Sequence, residues 1–111
     1  MLRHMSEATY YVLAALLDER LHGYGIIKKI ASLSAGSVTL TTGTLYGALD
    51  RLASQGLVAP DGEQEVAGRL RRYYRLTDAG AEAVRGEAER MRRAARAVGR
   101  VERAALAGGA G

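Results

Sequence analysis

The spacing of hydrophobic residues in the first third of the chain predicts two helices. The first covers roughly residues 6–19, with Ser6 as its N-cap. Its apolar face is broad, which is typical of a helix that is buried on more than one side. A glycine-rich segment at residues 21–25 ends this helix, and a second helix then runs to about Leu33.

A third helix has the clearest amphipathic pattern. It opens at residues 41–44, and Gly56 stands where a glycine commonly follows the C-cap. Between the second and third helices, residues 34–37 predict a turn and residues 38–40 a very short strand. The inward face of the third helix has apolar residues at i, i+3, i+4 and i+7, namely Leu45, Ala48, Leu49 and Leu52.

A β-hairpin follows the third helix. Residues 57–59 predict a short strand, the sequence Pro60-Asp61-Gly62 has the composition of a turn, and residues 66–68 continue the loop. Residues 69–76 alternate between a largely apolar face and an arginine-bearing face, which predicts a second strand. The hairpin therefore has an acidic side and a basic side.

The last helix is long and carries a seam of apolar residues. Thr77 and Asp78 are capping residues for a helix over about residues 78–106. The seam follows the 4-3-4-3 spacing of helices that pair with one another, through Val84, Ala88, Met91, Ala95 and Val98. We expect these residues to form a homodimer interface and residues 107–111 to be a disordered tail.

Three helices, a hairpin and a final helix are the element order of a winged helix-turn-helix. The predicted fold class is therefore mainly α with a small β-hairpin (α+β). The expected division is a winged helix-turn-helix domain over residues 1–77 and a C-terminal dimerisation helix over residues 78–106. At 111 residues the chain is short, and a dimer would add buried area.

Composition excludes several kinds of site. The chain has no cysteine and only two histidines, so disulfides, thiolate zinc sites and cysteine nucleophiles are excluded. The clusters of histidine or paired carboxylates that enzymes use are missing, and we expect no enzyme activity, no cofactor and no metal. Without a long apolar run, neither a signal peptide nor a membrane span is predicted, and a cytoplasmic location without membrane contact is expected.

Charge favours an anionic partner. The net charge is +4, and 14 of the 16 basic residues are arginine, whose guanidinium donates in a bidentate fork. Residues 66–77 hold four arginines and no acid. Because such a cluster repels itself, a polyanion is its best explanation, although a solvated strand face is the alternative. With Arg72, these arginines could place guanidiniums in a DNA minor groove or on its phosphates. The candidate contacts there are Gly68, Arg69 and Arg71.

The outer face of the third helix has almost no bulk, so its backbone is able to approach a DNA groove closely. Hydroxyl side chains there are suited to phosphate, and Arg51 to guanine or phosphate. The alternative is an ordinary solvated helix surface. The candidate DNA contacts on this helix are Thr42, Gly43, Thr44, Tyr46, Gly47 and Arg51. At the glycine-rich start of the second helix, His22 or Tyr24 is expected to touch a DNA phosphate.

Four motifs, in order and at matching spacing over roughly residues 6–85, resemble the PadR family of transcriptional regulators. The motifs are His22-Gly23-Tyr24-Gly25, the segment Gly43 to Leu49 with Arg51-Leu52, Gly56-Leu57-Val58, and the segment Gly68 to Thr77 with Gly80. The family often has proline where this chain has Gly47, and a basic residue where it has Leu70.

The resemblance implies a homodimeric DNA-binding repressor that responds to small apolar or aromatic molecules. The expected partners are therefore double-stranded DNA, a second copy of the chain and a small-molecule effector. A two-fold dimer predicts an inverted-repeat operator with half-sites about one helical turn apart, ~10 base pairs. The competing hypothesis is a protein-interaction or dimerisation module that uses the winged fold without sequence-specific DNA binding.

Overall fold

Hydroxyl side chains begin three of the four helices in the computed structural model, which describes residues 5–109. Ser6, Thr41 and Thr77 each accept a hydrogen bond from the backbone N–H three residues further along the chain. The elements in chain order are α1 (Glu7–Ala15), β1 (Leu21–His22), α2 (Gly23–Leu33), α3 (Thr42–Ser54), β2 (Val58–Val66), β3 (Arg69–Leu76) and α4 (Asp78–Gly108).

The core lies where α1, α2, α3 and the first turns of α4 meet the sheet. Its fully buried large side chains are Val12, Leu13, Ile26, Ile30, Leu45, Leu49 and Leu52. The predicted inward face of α3 is confirmed, since all four of its residues are buried. The sequence pattern also predicts Leu17 on the broad apolar face of the first helix and Leu33 on the inward face of the second. Both are exposed instead, because Leu17 follows the end of α1 and Leu33 stands at the last turn of α2.

The sheet has three antiparallel strands in the order β1-β3-β2. In the two-residue strand β1, Leu21 pairs with Tyr74 and His22 with Tyr73. The helix predicted over residues 6–19 is too long: α1 ends at Ala15, and the residues after it turn so that β1 reaches β3. The predicted fold class is confirmed, with a third strand added to the hairpin.

The hairpin formed by β2 and β3, here called the wing, is longer than predicted. A register shift between Pro60 and Glu63 is accommodated inside β2, so Pro60-Asp61-Gly62 is a bulge and not the predicted turn. Proline is tolerated because β2 is an edge strand. The true turn is at Ala67 and Gly68, both at positive φ (52° and 75°), as a two-residue hairpin requires.

The strand predicted over residues 38–40 is absent from the structure of this segment. Val38 is buried, and its backbone N–H donates to the Ser34 hydroxyl at 3.0 Å. The same hydroxyl donates to the Val38 carbonyl oxygen at 3.3 Å. A serine side chain therefore satisfies the backbone that a neighbouring strand would otherwise have to pair.

Helix α4 belongs to two environments. Gly80 and Val84 are buried in the core, whereas from Met91 onward almost every residue is exposed, and the chain measures 70 Å in its longest dimension. The disordered tail predicted from residue 107 is wrong for Ala107 and Gly108, which are helical. Residues 110–111 lie outside the described residues. Within residues 5–109, no helix is long and apolar enough to cross a membrane.

Candidate nucleic-acid interface

One open cleft joins the start of α2, the middle of α3 and the basic strand of the wing. Its volume is about 420 Å³. The residues that line it are His22, Gly23, Tyr24, Tyr46, Arg69, Leu70, Arg71 and Arg72. Five of the predicted site residues, from three separate segments of the sequence, therefore meet on one side of the molecule.

Tyr46 fixes the position of α3 against its neighbours. A Cβ atom placed on Gly23 would lie 2.5 Å from the Tyr46 hydroxyl oxygen, so the side chain occupies the space that glycine leaves at the start of α2. The Tyr46 ring also lies 6.5 Å from the ring of Tyr74 in β3, measured between centroids. Tyr46 thus contacts α2 and the sheet while its edge lines the cleft.

His22 stands at the N-cap of α2 and turns toward the wing. Its imidazole contacts the Tyr73 ring edge to face, with 5.4 Å between centroids, and it covers Gly25 closely. Burial lowers the pKa of the His22 imidazole, and the charges of Arg71 and Lys28 lower this pKa further. His22 is therefore a neutral hydrogen-bonding group within a cationic surface at neutral pH.

The outer face of α3 is open, as predicted. Thr42, Gly43, Thr44 and Gly47 are all exposed, and a Cβ atom added to either glycine would meet no atom within 4 Å. The Thr44 hydroxyl accepts a hydrogen bond from the Thr41 hydroxyl at 3.0 Å. A flat, polar and bulk-free helix face is the shape that lets a backbone approach the floor of a groove.

Arg51 is not brought together with the other candidates. Its Nη2 donates to the Thr9 hydroxyl at 3.2 Å, toward α1. There it lines a separate cleft between α1, α3 and α4 with Ser6, Gln55 and Glu87. Arg51 therefore holds α3 against α1 on the flank of α3 opposite Tyr46.

The wing carries its arginines on both faces of β3. Arg69 and Arg71 extend from one face, and Arg72 extends from the other, where its Nε lies 3.8 Å from a carboxylate oxygen of Glu63. Gly68 is exposed in the turn at the tip. At the base of the wing, the Arg20 guanidinium lies 4.6 Å from the centroid of the Tyr73 ring.

Three lining or supporting residues were not predicted as contacts: Gly23, Leu70 and Tyr73. Arg72 was named from the sequence as a wing arginine but was left out of the predicted contacts. Strand alternation could have indicated that Arg72 faces the core side of the sheet, because it places Arg72 on the same face of β3 as Tyr74 and Leu76. Tyr73 could not be found in this way, because its partner His22 belongs to the two-residue strand β1.

The predicted seam of α4 divides at the edge of the core. Val84 is only 3% exposed and packs inside the chain's own core, so it is unavailable to a partner. Met91 and Val98 are exposed, and the apolar surface continues beyond the prediction to Val101 and Leu106. Ala88 is half-buried and Ala95 is exposed.

Comparison with known proteins decides the family. The sequence model of the Transcriptional regulator PadR-like family matches residues 12–86, which is more than half of the chain. The chain belongs to this family. The resemblance that the four motifs carry is thereby confirmed, and the match runs from the second half of α1 through α2, α3 and the sheet to the first turns of α4.

Two relatives and a solved structure are similar to this PadR-like regulator. It is 33% identical to the Transcriptional regulator Rv3488 of Mycobacterium tuberculosis over 79% of this chain and 78% of that one. It is also 43% identical to the uncharacterized 37.1 kDa protein in transposon TN4556 of Streptomyces fradiae. That match covers 91% of this chain and 27% of the Streptomyces protein. Bacillus subtilis PadR, solved in complex with operator DNA, shares the fold with a TM-score of 0.65, 21% identity and coverage of 74% of this chain and 46% of that one.

Proposed function

We propose that this PadR-like regulator is a homodimer that binds double-stranded DNA sequence-specifically and represses transcription until a small apolar or aromatic molecule releases it. The observation that carries the DNA-binding part is the cleft in which α2, α3 and the wing converge. The effector and the repressor role follow from the family resemblance.

In the proposed complex, the exposed face of α3 enters the major groove. Gly43 and Gly47 let the helix backbone approach the bases, since nothing lies within 4 Å of the positions their Cβ atoms would take. Thr42 and Thr44 are placed to contact phosphates at the groove edge. The fold similarity to Bacillus subtilis PadR, whose structure contains operator DNA, supports this docking.

The cleft itself is suited to the sugar-phosphate backbone that runs between the groove occupied by α3 and the groove reached by the wing. Arg69 and Arg71 provide the positive charge, and the hydroxyl of Tyr46 and the imidazole of His22 provide further hydrogen-bonding groups. Tyr24 is 65% exposed at the cleft's outer edge. This mixture of charged and neutral donors is typical of contacts that fix the position of a duplex.

Dimerisation through α4 supplies the two-fold symmetry that an inverted-repeat operator requires. The 31-residue helix is about 46 Å long, and its outer part has no intrachain partner in the described residues to cover Met91 and Val98. A second copy of the same helix offers a matching apolar seam. The half-site spacing expected for such a dimer is about one helical turn, or ~10 base pairs.

The double variant Arg69→Ala and Arg71→Ala is expected to weaken DNA binding in a salt-dependent way. Each lost phosphate contact reduces the slope of log K against log salt by about 0.9, so two arginines in each of two subunits reduce it by up to ~4. The affinity for a random-sequence duplex falls together with the affinity for the selected operator. Titrations by fluorescence anisotropy at several salt concentrations measure both slopes.

A matched control removes the same two charges elsewhere. Arg100→Ala with Arg103→Ala changes exposed residues of α4 that do not line the cleft, and its salt slope is expected to equal that of the wild type. An unchanged slope in the wing variant, or an equal decrease in both variants, would show that Arg69 and Arg71 are not on phosphates.

A further inference from the structure

Leu70 is an exposed apolar side chain among arginines. Within the two strands of the wing, both fully described, it is the only large hydrophobic residue that is exposed, at 66%. Alternation along β3 places it on the same face as Tyr74, which is buried, but Leu70 lies nearer the tip of the wing, past the edge of the core. Core packing therefore does not explain its identity.

The surroundings of Leu70 indicate what kind of surface it meets. Arg69 and Arg71 flank it along the strand and extend from the other face, and Arg72 and Tyr46 line with it a small cleft of about 350 Å³ that faces α3. The cross-strand partners of Leu70 and Arg72 on β2 are Glu65 and Glu63, so three arginines against two carboxylates leave this part of the wing with a net positive charge. A partner that suits this combination has negative charge on its rims and apolar walls between them. The DNA minor groove has both, because phosphates border it and deoxyribose rings form its walls.

We propose that Leu70 is an apolar minor-groove contact that favours A·T pairs beneath the wing. This inference rests on the proposed function and adds a specificity-determining residue to it. The physical basis is steric: a G·C pair places the guanine N2 amino group in the minor groove, whereas an A·T pair leaves the floor open. A leucine side chain offers that amino group no acceptor and is excluded by it, while arginines on the rims hold the wing in place.

The test uses three duplexes that differ only in the base pairs beneath the wing. A selection with wild-type protein first identifies a bound duplex. The base pairs beneath the wing in that duplex are then changed to A·T, G·C or inosine·C. Inosine·C keeps the major-groove edge of G·C but lacks the amino group. Wild-type protein is expected to bind the A·T and inosine·C duplexes about tenfold more tightly than the G·C duplex, which corresponds to ~1.4 kcal/mol.

Leu70→Ala is expected to remove this preference and to leave the salt slope unchanged, since an apolar contact releases no counterion. Leu33→Ala, which truncates a half-exposed leucine far along α2 from the cleft, is the control and is expected to keep the wild-type preference. Thermal unfolding of each variant confirms that the comparison is between folded proteins.

The possible failures are distinguishable. If wild-type protein binds no duplex, the proposed function is overturned and this inference with it. If it binds but Leu70→Ala retains the preference, or if inosine·C behaves like G·C, only the inference about Leu70 is overturned. If Leu70→Ala alters sedimentation of the free protein and leaves DNA binding unchanged, Leu70 is a contact between proteins and the inference is likewise wrong.

Discussion

Gly80→Ala is expected to lower the free energy of unfolding by about 3 kcal/mol, at the upper end of the range for overpacked cores. Gly80 lies in the first turn of α4, and a Cβ atom there would fall on the carbonyl oxygen of Leu57 and 2.6 Å from Cδ1 of Leu76. The Leu57 oxygen is a backbone atom that already accepts a hydrogen bond from the Thr77 N–H, so it cannot move aside without breaking that contact. Denaturant unfolding at one fixed protein concentration measures the loss.

The control for this variant is Gly86→Ala, two turns further along the same helix. A Cβ atom at Gly86 meets nothing within 4 Å, so alanine should stabilise the chain by up to ~1 kcal/mol through its higher helix propensity. The free energy of unfolding is therefore expected to fall for Gly80→Ala and to rise for Gly86→Ala. Equal stability of Gly80→Ala and wild type would mean that the first turn of α4 does not lie against Leu57 and Leu76.

The double variant Met91→Glu and Val98→Glu is expected to convert the proposed dimer into monomers. If the exposed seam of α4 pairs with a second copy, the change places four carboxylates per dimer in a desolvated interface, where each costs several kcal/mol. Dimer affinity then falls at least a thousandfold, or ~4 kcal/mol. Sedimentation velocity over a range of protein concentrations measures the change.

The matched control adds the same charges to the opposite side of the helix. At 100° per residue, Ala104 and Ala107 lie within about 40° of the direction opposite Met91, and both are exposed. Ala104→Glu with Ala107→Glu should therefore leave the dimer intact. A seam variant that still sediments as a dimer with unchanged affinity would place the interface elsewhere on the chain.

Elements with a strong local pattern were predictable from the sequence. The four buried residues of α3 follow the helical period, and the bounds of β3 at residues 69–76 match the structure because its alternation is regular. The three hydroxyl caps were also visible as residue types in the right places. In these elements the local preference and the tertiary packing favour the same conformation.

Elements that depend on distant partners were not predictable. The strand β1 is two residues long and exists because Leu21 and His22 pair with β3, more than 50 residues away. At Val38 the sequence has strand-like composition, but the Ser34 hydroxyl satisfies its backbone and no strand forms. Val84 fits the heptad spacing and is nevertheless buried within its own chain, since spacing alone does not show where the core ends.

The candidate site shows the same division. His22, Tyr24, Tyr46, Arg69 and Arg71 were predicted as DNA contacts from their residue types and the family motifs, and the structure brings them to one cleft. Arg51 was placed beside them only by its position on the rim of the outer face of α3, where a long side chain can turn either way. The Thr9 hydroxyl on α1 determines its direction, and no local pattern contains that information.

The central claim is that the exposed face of α3 contacts DNA bases, and Gly47→Leu tests it most directly. Gly47 is exposed and nothing lies within 4 Å of its Cβ position, so a side chain there extends into solvent, and the smaller change Gly47→Ala is the control. The measurement is a selection from random duplexes followed by titration of the selected sites. We predict that wild type and Gly47→Ala select one inverted repeat, and that Gly47→Leu stays folded and dimeric but loses it. Selection of the same sites with equal affinity by Gly47→Leu would contradict the account and favour a protein-docking role for the winged fold.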